Sequence, residues 1–297
     1  MGVLNSETLK AISVVFKDEF NKVFKEYKTN YDKVATVVNA KAISVNYAWL
    51  GDVPTMREWI GDREIKTLKD YEYIIKKKRY EATIGVDRDH IIFDTLGVVK
   101  PRIQTMAAAA KTHYDELTFG LLETNGECYD KKPFFGEHDI EGKKYNNLYD
   151  LELNQENFLK VRADMMSIKS EAGRNLGVKP NLLVVPPQLE SKAIELLKAD
   201  LINGSTNITK GMADILVVPQ LTDDKSWYLL DTTKPIKPLI LQINKKITFT
   251  AMDRPDDESV FMRAEFRYGV DGEHNAGYGL WQLAAKSSPA DDESTEN

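Results

Sequence analysis

One cysteine, Cys128, in 297 residues rules out an intrachain disulfide and any cysteine-built metal framework, so packing or association must hold the fold together. No uninterrupted apolar stretch approaches the ~20 residues that a membrane-crossing helix requires. The N-terminus M-G-V-L-N-S-E-T-L-K also lacks the basic segment and apolar run of a secretory leader. Neither membrane insertion nor export is expected, and the N-x-[ST] matches at Asn203 and Asn207 read as chance loop sequence. Excess positive charge is missing too: 40 Lys and Arg face 46 Asp and Glu, a net −6 that argues against a sequence-independent grip on nucleic acid. Neither G-x-S-x-G nor a phosphate-cradling G-x-x-x-x-G-K-[ST] occurs. Gly269, Gly272, Gly277 and Gly279 lack dinucleotide-binding spacing and are expected in turns or bulges with positive φ.

The titratable clusters are weak as sites. Glu137, His138 and Asp139, like Asp87, Asp89 and His90, lie too close in sequence to share a face, and neither set has the i, i+4 spacing that aligns two ligands on a helix. Both read as solvated polarity. Cys128 shares its third of the chain with His113 and His138, a combination more often incidental than catalytic. The acidic run Asp253 to Glu258 contains Pro255, lacks calcium-loop spacing and reads as a solvated turn. No catalytic residue, cofactor or metal ligand is expected.

What is present is a globular balance, 42% hydrophobic and 29% charged. Leu9, Ile12, Phe16, Phe20, Val23, Phe24 and Tyr27 recur at steps of three and four, the mark of an amphipathic helix after Ser6. Arg63 to Val86 is β-rich, with Tyr80, Ala82, Ile84 and Val86 alternating against polar neighbours. It reads as a long hairpin turning near Lys69-Asp70 or at Lys76 to Lys78. From Pro101, strong helix formers run to an Asn125-Gly126 stop, a spine of about 36 Å at ~1.5 Å per residue. A second helix is expected over Gln155 to Glu171. Leu182 to Val185 reads as a buried strand, followed by a Pro-Pro junction and a helix, with further strands at 215–220, 227–230 and 239–243. Val260, Met262, Ala264, Phe266 and Tyr268 alternate with Phe261, Arg263, Glu265 and Arg267 as a late strand, and Lys286 to Asn297 is expected to be disordered.

Four motifs carry a resemblance. W-L-G-D-x-P-x-M-R-E-W-I-G-D-R at Trp49 to Arg63, T-I-G-V-D-R at Thr83 to Arg88, D-E-L-x-F-G-L-L at Asp115 to Leu122 and N-L-L-V-V-P-P at Asn181 to Pro187 resemble the major head protein of Mu-like tailed bacteriophages. The resemblance implies an α+β fold of the Hong Kong 97 type, with an N-terminal arm over 1–55 and an E-loop hairpin with flanking strands over 56–97. It further implies a P-domain spine helix over 98–125, an α/β A-domain over 126–245, return strands over 246–285 and an acidic tail over 286–297. It implies a structural protein whose copies close as hexamers and pentamers into an icosahedral shell in the virion. Synthesis would be in the bacterial cytoplasm, with a separate scaffolding protein, a protease and a portal as partners. Double-stranded DNA would be packaged without sequence-specific contacts, and no membrane would be involved. The residues expected at contacts between copies are Lys76, Lys77, Lys78, Tyr71, Tyr73, Phe16 and Phe20. Residue patterns alone leave open an α/β hydrolase-like enzyme built around Leu182 to Ala199, or a nucleic-acid-binding module.

Overall fold

The computed structural model describes residues 6–47, 72–92, 96–140, 142–170 and 174–289. Helix α1 (Ser6–Glu26) turns Leu9, Phe16 and Phe20 inward, against the long helix over 96–124 and the sheet behind it. Burying each phenylalanine contributes about 2 kcal/mol, which docks the helix on its own subunit. Val14 and Val15 stay on its outer face.

A turn of helix, α2 (Tyr31–Val34), leads into β1 (Ala35–Asn39) and β2 (Ser44–Asn46). β3 (Ile74–Lys76) pairs antiparallel with β2, and Tyr47 N donates to Tyr73 O at 2.7 Å, so the chain ends flanking residues 48–71 lie side by side. β4 (Lys78–Asp87) follows after the single residue Lys77. The expected turn at Lys76 to Lys78 is therefore absent, because the chain runs straight on from one sheet into the next. The alternation of Tyr80, Ile84 and Val86 is real, but the strand it pairs with comes from the far end of the chain, which a local pattern cannot reveal. Lys69-Asp70, Tyr71 and the motif from Trp49 to Arg63 lie outside the described residues.

After α3 (Arg88–Ile92), the spine α4 (Leu96–Thr124) spans 29 residues, about 43 Å. It begins before Pro101, which sits in the second turn and gives up a single bond to the Gly97 carbonyl. The helix stops where Asn125 turns left-handed at φ 48° and clasps Phe135, accepting from its N–H at 2.7 Å and donating to its carbonyl at 2.9 Å.

The next unit opens with the hairpin β5 (Glu137–Ile140) and β6 (Lys143–Asn146), then β7 (Leu148–Tyr149). Helix α5 (Gln155–Met166) is capped by Asn154, whose side chain accepts from Asn157 N at 2.8 Å. β8 (Leu182–Val185) is buried along its whole length; Pro186 and Pro187 end it and start the turn into α6 (Glu190–Lys198). A small hairpin, β9 (Leu201–Ile202) with β10 (Ser205–Thr206), precedes β11 (Asp214–Val217) and β12 (Trp227–Leu230). β13 (Leu239–Met252), α7 (Glu258–Arg263) and β14 (Glu265–Tyr278) form a long hairpin, and β15 (Ala284–Ser287) ends the described elements.

Two sheets result. The first runs β1-β13-β14-β4 and packs on α4 and α1; the second runs β11-β8-β12-β15-β7 and carries α5 and α6. Several expectations change here. Residues 260–263, read as the start of a strand, belong to helix α7, and Ala264 at φ 51° ends that helix, so the strand begins only at Glu265. Gly269, Gly272 and Gly277 lie within β14, and neither they nor Gly279 has positive φ. They permit close approach instead: a Cβ on Gly277 would meet Ile75 Cδ1 at 2.5 Å, and one on Gly279 would meet the Lys237 carbonyl at 2.5 Å. The chain also re-enters the second sheet near its end. Ser287 is buried, its hydroxyl donates to Leu151 O at 2.6 Å, and Lys286 lies over the Tyr228 ring, so residues 286–288 are ordered structure.

Candidate assembly surfaces

The residues expected at contacts between copies divide in two. Phe16 and Phe20 are 2% and 0% exposed, packed on Tyr268 and Phe249 with ring centroids 5.1 and 5.6 Å apart. Tyr73 packs on its own core, and its hydroxyl accepts from Tyr278 N at 2.7 Å. Lys77 is ion-paired with Glu273 of the same chain, which Arg79 also reaches at 3.1 Å. These four residues are committed within the subunit. Lys76 and Lys78 remain exposed beside β4, the outer strand of the first sheet; Tyr71 lies outside the described residues.

The motifs around the spine hold the two sheets and the first helix to it. Asp115 is buried and accepts from Asn30 N and Tyr31 N at 2.9 and 2.7 Å, fixing the chain between α1 and β1; burial pushes its carboxyl up, and these bonds oppose the rise. Phe119 and Leu122 are fully buried. At the far end of the spine, Glu123 accepts from Thr222 N at 2.5 Å and Asp223 N at 2.9 Å, joining the helix to the second unit. In the middle, His274 of β14 lies among Tyr80, Tyr114 and His113, with neither ring nitrogen hydrogen-bonded; burial, then the nearby His113, lowers its pKa to about 4.

Cys128 and His138, which sequence reasoning left apart, meet at Asp130. The thiol donates to Asp130 Oδ1 at 3.1 Å, and His138 Nδ1 lies 2.7 Å from Oδ2. Burial first, then Asp130, pushes the thiol pKa up, which removes Cys128 as a nucleophile. Burial acts to raise the Asp130 carboxyl, but bonds from His138 and Cys128 outweigh it and hold the group below its usual range.

Sequence reading missed the exposed apolar extremities. Phe261 and Met262 are 81% and 69% exposed on α7, at the tip of the long hairpin, with Met252 beside the same end. Ile194 on α6, Leu201 on β9 and Ile208 after β10 are also exposed, as are Val14 and Val15 on α1. Among the described residues no helix is long and apolar enough to cross a membrane.

Residues 9–150, 144–221 and 222–295 match the family described as the Mu-like prophage major head subunit gpT. The chain belongs to the Mu-like major head subunit family. It is 30% identical over 284 residues to the major capsid protein of Escherichia phage Mu, covering 95% of this chain and 74% of that protein. It superposes on a chain of the procapsid of bacteriophage JBD30 with a TM-score of 0.62 at 32% identity, covering 98% of this chain and 78% of that one. For the JBD30 capsid the TM-score is 0.57 at 27% identity, covering 74% and 99%. The fold is therefore the Hong Kong 97-type capsid fold, α+β, and the head subunit is a structural component of a virion rather than an enzyme. Family membership decides against the hydrolase-like and nucleic-acid-binding readings.

Proposed function

We propose that copies of this head subunit associate as hexamers and pentamers and close into an icosahedral shell around double-stranded DNA. The exposed Phe261 and Met262 carry the reading: two large apolar side chains at the tip of a hairpin of two 14-residue strands gain nothing in a monomer and are the kind of patch that a neighbouring copy covers. The relatives named for the JBD30 procapsid and capsid support the assembly. Residues 48–71, between paired β2 and β3, are assigned as the E-loop reaching a neighbour, with exposed Lys76 and Lys78 at its base meeting acidic surface. Residues 6–34 serve as the arm, the first sheet with α4 as the P-domain, and the second sheet with α5 and α6 as the A-domain.

Net negative charge suits packaging without sequence-specific contacts, since nothing in the composition supplies a basic lining. A scaffolding protein, a protease and a portal are the remaining partners, and the host cytoplasm is the site of synthesis. The test is the double variant F261E/M262E. Circular dichroism and melting should match the parent, because both side chains are already in water, while light scattering should lose the large particles. Particles forming normally in the variant would remove the hairpin tip from the account.

A further inference from the structure

The loop after the spine brings three metal-competent side chains together. Cys128 Sγ, a carboxylate oxygen of Asp130 and a ring nitrogen of His138 all lie within 4.8 Å of one another. We propose that this cluster is a binding site for a borderline-soft divalent cation of the zinc class, held by Cys128 Sγ, the Asp130 carboxylate and His138 Nδ1.

The donor set selects the cation. Thiolate with imidazole favours zinc over magnesium or calcium, which take oxygen ligands, and three protein ligands leave one position for water. The side chain of Asp130 is 16% exposed while that of His138 is 0% exposed, so entry and the fourth ligand belong on the Asp130 side. Bonds of ~2.0–2.3 Å put ligand pairs roughly 3.5 Å apart, a spacing that small side-chain rotations supply.

The surroundings already orient the ligands. His138 Nε2 lies 3.2 Å from the Phe134 carbonyl, and its ring stacks on Trp281 at 4.0 Å and 7°, so Nδ1 is aimed at Asp130. The Phe134 carbonyl is itself fixed by Asn147 Nδ2 at 2.9 Å. A tight turn, Cys128 N to Lys132 O at 2.9 Å with Lys131 at φ 62°, places Cys128 and Asp130 on one side of the loop.

Protons balance. Both ring nitrogens of His138 face oxygen acceptors, and the thiol proton faces Asp130. A dication forms bonds to sulfur, nitrogen and oxygen as the S–H bond and any Nδ1–H bond break, and the displaced protons leave to solvent. The exchange also links the loop that follows the spine to the segment around Trp281, where the chain returns to the second sheet.

The test uses the full chain, purified under reductant, stripped with a chelator and titrated with Co2+ and then Zn2+. One Co2+ per chain with a thiolate-to-cobalt charge-transfer band, abolished by Zn2+, is expected. Cys128 is the only cysteine, so the band has a single source. Cys128→Ser keeps a donor to Asp130 and should lose the band and weaken Zn2+ by at least about tenfold, with unchanged circular dichroism. Absence of the band in the parent, or Zn2+ affinity in the variant within about twofold of the parent, overturns the proposal. Should the variant fail to fold, the parent's spectrum alone decides.

Discussion

His274 shows how one residue's surroundings set a pH response. From α4 it meets His113 and Tyr114, with Glu116 bonded to His113; from β4 it meets Tyr80, and its neighbour Glu273 is neutralised by Lys77 and Arg79. The unfolded chain binds a proton at this histidine near pH 6.5, while the folded chain does so only near about 4. Its contribution is therefore complete above pH 6.5, falls as pH drops through that window and levels off below it. At ~1.4 kcal/mol per pH unit the loss is roughly 3 kcal/mol. His274→Phe, which fits between the tyrosine rings, should flatten this part of the urea-unfolding profile between pH 7 and 4; an unchanged slope would remove His274 as the cause. Glycine 279 offers a second test. A Cβ there meets the carbonyl oxygens of Lys237 and Pro238 at 2.5 and 2.9 Å, so Gly279→Ala should cost about 1–3 kcal/mol, whereas Gly97→Ala, with nothing within 4 Å, should be neutral or stabilising in thermal melts.

Among elements, the C-terminal segment separates two truncations. Removing 290–297 should leave melting unchanged. Removing 286–297 strips the Ser287 bonds to Leu151 and part of β15, and should destabilise by about 1–3 kcal/mol by urea titration. Replacing residues 48–71 with a short Gly-Ser turn should be tolerated within about 0.5 kcal/mol, because Asn46 and Ile74 already face each other in the β2–β3 ladder; assembly, followed by light scattering, should be lost. Assembly at the parent's level would show that 48–71 makes no contact between copies.

Elements with a local cause were legible: the apolar stripe of α1, the uniform helix formers of α4 and the apolar run of β8 with its prolines all act within a few residues. Strand partners were not, since β4 joins β14 across more than half of the chain and β15 joins a sheet started much earlier. The glycines misled for the same reason, as the side chains they admit, such as Ile75 against Gly277, are remote in sequence. Of the candidate site, Lys76 and Lys78 were found on exposed positions. Phe16 and Phe20 were misplaced because an amphipathic stripe does not say whose core it enters. Phe261 and Met262 escaped notice because their alternation ran on into a true strand, and only the left-handed Ala264 separates helix from strand.

On the scale of the whole molecule, two units are joined through one spine: Asp115 holds the N-terminal segment, Glu123 holds the second unit, and the hairpin tip, the chain ends flanking residues 48–71 and the second unit carry exposed apolar or basic side chains. A subunit with stable cores and unsatisfied extremities is suited to association with copies of itself. Electron microscopy of the purified full chain, concentrated over a range of salt, tests this most directly. Closed shells, or rings of five and six copies, are the predicted result; a population that stays monomeric at every concentration and salt, including in the presence of lysate from cells producing the phage, would contradict the account.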